Sequence, residues 1–339
     1  MRAGLKTGLF KVGALLLSSI VGLLLVEVIG RTLILDKRRT YFLYDVDHRY
    51  KPGDHPEINQ DGIRSLVEAD AFPSDEFNVI FLGDSFIEGS RLDYADTVPA
   101  RFEFMARELY PDQRINVANF AWTSSSPLLS YRLLRDIGAR YHPDLVILCI
   151  DMTDFHDDIK YQKLLDREGL FKLLGVVPIT IWAAKKGISE IRALDSLHLA
   201  LFGFPSDRFF VTANPLSETL PFFSHIRANI ERIHAFCATE LGAEFMLVIL
   251  PRAYQYSVRE SPNSWERNAY EALGPWVHEP FTYFDSIRNE VDFPIYALLP
   301  DFQEDELFPT CFDDDPHWNA NGARVAAEAI LRHLHPPPS

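Results

Sequence analysis

From residue 78 onward, short apolar runs alternate with longer amphipathic stretches. The apolar runs lack a strict alternation of apolar and polar positions, which is typical of strands buried on both faces of a sheet. They are "NVIFL" (78–82), "RINVAN" (114–119), "DLVILCI" (144–150), "EFMLVIL" (244–250) and, as the weakest, "FTYF" (281–284). The intervening stretches predict helices at about Val98–Tyr110, Pro127–Tyr141, Pro221–Leu241 and Asn321–Leu334. Strands that are each followed by a helix predict a parallel, doubly wound, three-layer α/β domain over 78–335.

Two segments do not follow this alternation. Residues 36–77 are rich in turn formers such as "KPGDHPEINQDG" and predict an irregular lead-in that packs on the main domain. Residues 160–212 are apolar and mostly helical in pattern, so they predict a helical insertion. This insertion packs on the domain in one interpretation, and it covers the site or lies against a membrane in another.

The most apolar segment of the chain spans 9–35 and follows a short tail at 1–8. Its uncharged part, Val12–Val26, is shorter than the roughly 20 residues that span a bilayer. Charged side chains at both ends can reach the headgroups and lengthen the span. Because no small-residue cleavage site follows, we predict an uncleaved transmembrane anchor, with a cleaved signal peptide and a buried helix as alternatives. Basic residues flank both ends, so the orientation stays open.

Composition excludes several classes of protein. The chain has 339 residues, 47% of them hydrophobic, and a net charge of −15, so we expect a sizeable core and no nucleic-acid partner. Its three cysteines are widely spaced and indicate neither a disulfide framework nor a metal site. No phosphate-binding loop or dinucleotide motif is present in the sequence, and we expect no cofactor.

Ser85 directly follows the first predicted strand, in "IFLGDSFIEG" (80–89). Ligands of doubly wound sheets bind beyond the carboxyl ends of the strands, which places this hydroxyl where a site is expected. A serine is a weak nucleophile unless a base lies within hydrogen-bonding reach and a third group orients that base. On its own, however, Asp-Ser after a strand is also typical of a helix cap.

His317 supplies a candidate base near the other end of the chain. It follows three carboxylates in "CFDDDPHWN" (311–319), just before the last predicted helix. A carboxylate two or three residues earlier can accept a hydrogen bond from one ring nitrogen and leave the other free to take a proton. A surface ion pair is the alternative. The spacing of the aspartates does not fit a calcium loop.

Taken together and in order, these motifs resemble those of the GDSL/SGNH hydrolase superfamily. The similar stretches are "INQDGIRS" (58–65), "GDSFIEGSRLDYADTVPARFE" (83–103), "NVANFAWTSSSPLLSYRLL" (116–134), "HPDLVILCIDMTDFHDD" (142–158), "LVILP" (247–251) and "DPHWN" (315–319). The resemblance implies a flavodoxin-like sheet and serine esterase or acyltransferase chemistry. It covers about 58–334, and 160–212 matches least.

The resemblance also implies a role for each site residue. Ser85 is the expected nucleophile and His317 the expected base, with Asp315 as the orienting carboxylate and Asp314 as the second choice. Family members build the oxyanion hole from the nucleophile's N–H, a glycine N–H and an asparagine side chain. The corresponding positions here are Ser85, Ser124 and Thr153. Thr153 therefore replaces an amide donor by a shorter hydroxyl, and loss of one oxyanion donor costs about 10²–10³ in rate.

The expected function is a serine esterase or O-acyltransferase. It acts through an acyl-serine on an O-acyl ester, first of all an O-acetyl ester, of a glycan or another cell-envelope molecule. The expected location is membrane-anchored, with the catalytic domain outside the cytoplasm. The alternative, suggested by Ser124 and Thr153, is a catalytically impaired protein that kept the fold for binding or assembly in the envelope.

Overall fold

The structure is a computed structural model that describes residues 2–33, 49–50, 52, 55–166 and 203–334. The chain divides into two compact units, Met1–Val46 with Lys163–Ser206, and Asp47–Gln162 with Asp207–Ser339. Most of the predicted insertion and the first part of the predicted lead-in lie outside the described residues.

The sheet belongs to the second unit and contains five parallel strands in the order β2-β1-β3-β4-β5. The strands are β1 (Phe77–Leu82), β2 (Ile115–Asn119), β3 (Leu145–Ile150), β4 (Glu244–Ile249) and β5 (Ile295–Ala297). In register, Phe81 of β1 lies between Asn119 of β2 and Ile147 of β3. The four stronger strand predictions and the parallel sheet are confirmed, and the strand order is that of flavodoxin-like folds.

The helices of the described residues are α1 (Arg2–Leu33), α2 (Ser85–Glu88), α3 (Val98–Leu109), α4 (Pro127–Ile137), α5 (Asp154–Asp166), α6 (Phe210–Ala213), α7 (Leu216–Phe236), α8 (Ala253–Tyr256), α9 (Trp265–Ala269), α10 (Glu279–Ser286), α11 (Leu299–Glu304) and α12 (Ala320–Leu331). The four helices predicted between the strands are present as α3, α4, α7 and α12. The helix α7 begins earlier than expected, because Pro215 rather than Pro221 precedes its first turn.

The weakest strand prediction, "FTYF" (281–284), is wrong. These residues lie in α10, and the fifth strand is Ile295–Ala297. Pro280 in the first turn favours a helix start, and the buried Phe281 and Phe284 are three positions apart on one helical face.

The long N-terminal helix α1 has 32 residues. Over the part of the chain that the structure describes, no helix combines the length and the apolarity needed to cross a membrane. The structure therefore does not support the transmembrane helix predicted for 9–35.

Side chains of the strands point alternately into two separate apolar cores. Along β1, Ile80 and Leu82 face the core that contains residues of α4 and α7. Val79 and Phe81 face the opposite core, which contains residues of α3 and α12. The sheet is thus covered by helices on both faces, which makes three layers and leaves the carboxyl ends of the strands open to form a site.

Gly83 sets how closely the end of β1 approaches β3. A Cβ atom added at this position would lie 2.9 Å from Cγ1 of Ile87 and 3.1 Å from the carbonyl oxygen of Cys149. Only glycine leaves room for the chain to turn here, between β1 and the last residues of β3. This turn brings Ser85, two residues later, to the edge where both strands end.

Candidate active site

Ser85 is the first residue of α2 and is largely buried, with 8% of its surface exposed. The preceding Asp84 caps this short helix, because its carboxylate accepts a hydrogen bond of 2.9 Å from the N–H of Phe86. Burial, and then the neighbouring Asp151, raise the pKa of Asp84 well above its usual value. The cap holds the Ser85 hydroxyl at the end of β1, where the first N–H groups of the helix have no partner within it.

Residues of the lead-in fix the other end of this turn. The buried Arg64 donates to the carbonyl oxygens of Glu88 (2.9 Å), Gly89 (2.8 Å) and Leu92 (2.7 Å). Its guanidinium also contacts the carboxylate of Glu57 at 2.8 Å. A single side chain from the "INQDGIRS" stretch therefore braces the segment that follows the serine.

His317 reaches Ser85 across 232 positions of sequence, with its Nε2 atom 2.8 Å from the serine Oγ. The next residue, Trp318, is 1% exposed and anchors this loop in the core. Its ring lies 4.8 Å from the ring of Phe86 and is stacked at 4.8 Å on Phe302, measured between centroids. Packing of the tryptophan thus fixes where the imidazole sits.

Of the two candidate carboxylates, Asp315 is the one that contacts the imidazole. Its Oδ1 lies 2.5 Å from Nδ1 of His317 and also accepts the backbone N–H of His317 at 2.9 Å. These hydrogen bonds to His317 lower the pKa of Asp315 to about 2. Asp314 instead points to solvent and pairs with Arg91 at 2.9 Å. The carboxylate two residues before His317 therefore makes the contact, rather than the one three residues before it.

Ser124 occupies the position that the resemblance assigns to a glycine, and its backbone is left-handed, with φ of 57°. It is the third residue of a turn that is closed by a 2.9 Å hydrogen bond from the Ser125 N–H to the Trp122 carbonyl. The N–H of Trp122 in turn donates to the carbonyl of Gly83 at 3.1 Å, which ties the turn to the end of β1. The turn therefore lies beside the candidate nucleophile.

Thr153 is engaged within its own loop. Its hydroxyl and its backbone N–H each donate to Oδ1 of Asp151, both at 2.6 Å. Burial of Asp151 raises its pKa, but the charge of Arg252 and the two hydrogen bonds from Thr153 outweigh this effect and keep the pKa below its usual value. The hydroxyl that the resemblance assigns to the oxyanion hole is thus used to hold Asp151.

The buried ion pairs behind Thr153 were not expected from the sequence. Arg252 is 4% exposed and pairs with both Asp151 and Glu266. The position of Arg252 in the sequence could have indicated that it lies near the site. It follows shortly after β4, and β4 ends at the same edge of the sheet as β1 and β3. In the described residues, no group of three or more His, Cys, Asp or Glu side chains is arranged to hold a metal ion.

No protein-family model and no curated protein matches this chain. Among solved structures, it is similar to a member of the lipolytic protein G-D-S-L family from Veillonella parvula, with 13% identity, a TM-score of 0.40, and 76% and 97% of the two chains covered. It is also similar to a catalytic mutant of Axe2, an acetylxylan esterase from Geobacillus stearothermophilus (14% identity, TM-score 0.39, 76% and 93% covered). A GDSL-like lipase from Bacteroides thetaiotaomicron gives 11% identity, a TM-score of 0.42, and 78% and 92% covered.

Such low identities and TM-scores carry no argument about activity. The order of the sequence motifs and the contacts among Ser85, His317 and Asp315 are independent of them. In these two respects the chain resembles the GDSL/SGNH hydrolase superfamily.

Proposed function

We propose that this protein is a serine ester hydrolase of the GDSL/SGNH type, with Ser85 as nucleophile, His317 as general base and acid, and Asp315 as the orienting carboxylate. One observation carries the proposal: Nε2 of His317 lies 2.8 Å from Oγ of Ser85 while Nδ1 lies 2.5 Å from Oδ1 of Asp315. This is the chain of contacts that activates a serine and stabilises the imidazolium that forms when its proton is taken.

In the first half of the reaction, Ser85 Oγ attacks the ester carbonyl carbon and gives its proton to Nε2 of His317. The carbonyl π electrons move to the oxygen, and their return expels the alcohol, which takes the proton from the imidazolium. An acyl-serine remains. Water then loses a proton to His317 and attacks the acyl carbon to give a second tetrahedral intermediate. Its collapse breaks the bond between the acyl carbon and Ser85 Oγ, releases the carboxylic acid, and lets the imidazolium return its proton to Oγ.

The negative oxygen of each tetrahedral intermediate requires hydrogen-bond donors. We assign the backbone N–H groups of Ser85 and Ser124 to this role. Thr153 is the third position expected from the sequence, but its two donors are occupied by Asp151. The proposed oxyanion hole therefore rests on two backbone donors.

The resemblance supports an O-acyl ester as substrate, with an O-acetyl group on a glycan or another envelope molecule as the first choice. Transfer of the acyl group to a sugar hydroxyl would use the same three side chains, with the acceptor hydroxyl in place of water. Incubation with an acetyl ester and an oligosaccharide acceptor, followed by mass spectrometry, tests transfer. Acetate as the only product that carries the acetyl group would restrict the enzyme to hydrolysis.

The decisive experiment combines labelling by a fluorophosphonate probe with hydrolysis of p-nitrophenyl acetate by the full-length protein. Wild-type protein should react in both assays, and Ser85→Ala should abolish both signals. Ser90→Ala is the matched control, because this hydroxyl lies just beyond α2 and donates to Glu88 at 2.9 Å. A folded wild-type protein with neither signal would refute the proposal.

A second candidate function is binding or assembly without catalysis. The engagement of Thr153 with Asp151 favours it, since one oxyanion donor is missing. The same pair of assays separates the two candidates: an activated serine labels, whereas a protein that kept the fold only for binding does not.

An extracytoplasmic location stays a prediction from the sequence. Its support is the apolar composition of residues 9–35. Fractionation of cells that express the full chain, with protease added to intact cells or spheroplasts, tests this location. Recovery in the soluble cytoplasmic fraction would contradict it.

A further inference from the structure

The left-handed backbone of Ser124 needs a partner that keeps it in place. A residue with a Cβ atom pays about 1 kcal/mol or more in this region, which glycine occupies at no such cost. Ser124 is the third residue of the turn closed between Trp122 and Ser125, a position that requires positive φ in type II turns. A strained conformation persists where surrounding contacts determine it.

One such contact comes from Tyr161, whose hydroxyl donates to the carbonyl oxygen of Ser124 at 2.9 Å. Tyr161 lies on α5, which begins directly after Thr153, and its side chain is 1% exposed. Lys160 Nζ lies 4.3 Å from the centroid of the tyrosine ring. Burial and the nearby Asp157 raise the pKa of Tyr161, so its hydroxyl stays a donor.

The peptide between Ser124 and Ser125 is thereby held at both of its polar groups. Its carbonyl oxygen accepts from Tyr161, and its N–H donates to Trp122. With this peptide fixed, rotation about the backbone of Ser124 is restricted, and so is the direction of the Ser124 N–H. That N–H is not the one that closes the turn.

We propose that Tyr161 is a positioning residue for the proposed oxyanion hole: its hydroxyl keeps Ser124 left-handed, so that the Ser124 N–H faces the developing oxyanion. The hydrogen bond from the Tyr161 hydroxyl stabilises the positive φ of Ser124, which a glycine would adopt without support because it has no side chain. The inference rests on the proposed ester hydrolysis and adds to it the contact by which a serine can serve at this position.

The test is a double-mutant cycle on the full-length protein with p-nitrophenyl acetate. Tyr161→Phe removes only the hydroxyl, and kcat should fall about three- to ten-fold, the amount expected of one hydrogen bond, with KM within two-fold. The rate of fluorophosphonate labelling should fall in parallel. In a Ser124→Gly background the same Tyr161→Phe change should lower kcat less than two-fold, because glycine needs no such support.

Tyr141→Phe is the matched control. Tyr141 is fully buried, and its hydroxyl donates to Asp61 at 2.9 Å in the lead-in, so its loss should lower thermal stability but leave kcat within two-fold. An equal loss of kcat in Tyr141→Phe would reduce the role of Tyr161 to stability and overturn the inference. The inference would also be overturned if Tyr161→Phe left kcat unchanged in the wild-type background, or if it lowered kcat as much in the Ser124→Gly background as in wild type. A wild-type protein without labelling or hydrolysis would overturn both proposals, whereas an active enzyme indifferent to Tyr161→Phe would overturn this one alone.

Discussion

The two neighbouring carboxylates before His317 provide a sharp test of the proposed mechanism. Asp315→Asn removes the charge that contacts the imidazole, and Asp314→Asn removes an equal charge one residue away. Only Asp315 has an oxygen within 2.5 Å of the ring nitrogen. In one of its two orientations, the new amide would also donate to Nδ1 and favour the wrong tautomer for a base at Nε2. Comparison of the two variants distinguishes the effect of losing the contact with His317 from the effect of losing one negative charge.

The size of the effect follows from the coupling between the two groups. The pKa of Asp315 falls from an ordinary 3.8 to about 2, chiefly through its hydrogen bond to His317. At about 1.36 kcal/mol for each pKa unit, this net shift corresponds to roughly 2 kcal/mol, chiefly from the contacts with His317, or somewhat less than 10² in rate. The carboxylate is 28% exposed, so solvent screening reduces the value, and kcat for Asp315→Asn should fall about 10- to 100-fold.

Asp314→Asn should leave kcat within two-fold. The Asp314 side chain is 67% exposed, and its pair with Arg91 is of the surface kind worth about 0–1 kcal/mol. The assay is steady-state hydrolysis of p-nitrophenyl acetate, with circular dichroism to check folding. Equal losses in the two variants, or a larger loss in Asp314→Asn, would refute the assignment of Asp315.

Three further predictions follow from the same contacts. Gly83→Ala should lower the free energy of unfolding by about 1–3 kcal/mol in urea titrations, because its Cβ would meet Ile87 at 2.9 Å; unchanged stability would contradict this. Thr153→Val should reduce kcat less than five-fold, since the Thr153 hydroxyl donates to Asp151. A loss near 10² would show instead that this hydroxyl donates to the substrate oxyanion. Finally, the stability difference between wild type and Asp315→Asn, about 1 kcal/mol after screening, should be present above pH 4, fall between pH 4 and 2, and vanish below pH 2. The reason is that the pKa of this carboxyl is about 2 in the folded protein and near 3.8 in the unfolded chain.

Most of the sheet could be predicted from the sequence because its signal is local. The central strands are runs of buried apolar residues such as Leu145–Ile150, and burial on both faces leaves an unbroken apolar stretch. The fifth strand has only three residues, Ile295–Ala297, which is too short for a periodic pattern. An aromatic segment nearby, "FTYF", resembled a strand in composition, although its aromatics are spaced for a helix.

The site residues likewise fall into those with a local sequence signal and those without one. The motifs around Ser85 and His317 are contiguous in sequence, so both residues could be named in advance. The resemblance favoured Asp315 and kept Asp314 as the second choice, since a carboxylate at either spacing can hydrogen-bond to the ring. The contacts of Ser124 and Thr153 could not be predicted, because their partners Tyr161 and Asp151 depend on how a turn and a helix start fold locally.

The long connection between Ser85 and His317 links the proposed chemistry to the packing of one face of the sheet. The loop that carries the imidazole continues into α12, whose buried residues share an apolar core with those of α3 and β1. Trp318 joins that core directly beside Phe86, the residue after Ser85. Because the imidazole is held through this packing rather than by a local turn alone, the distance between Nε2 and Oγ is a property of the assembled core. We therefore expect the contact between Nε2 and Oγ to form only when α12 is docked on the sheet, so that, in the proposed mechanism, fluorophosphonate labelling of Ser85 reports the integrity of that face.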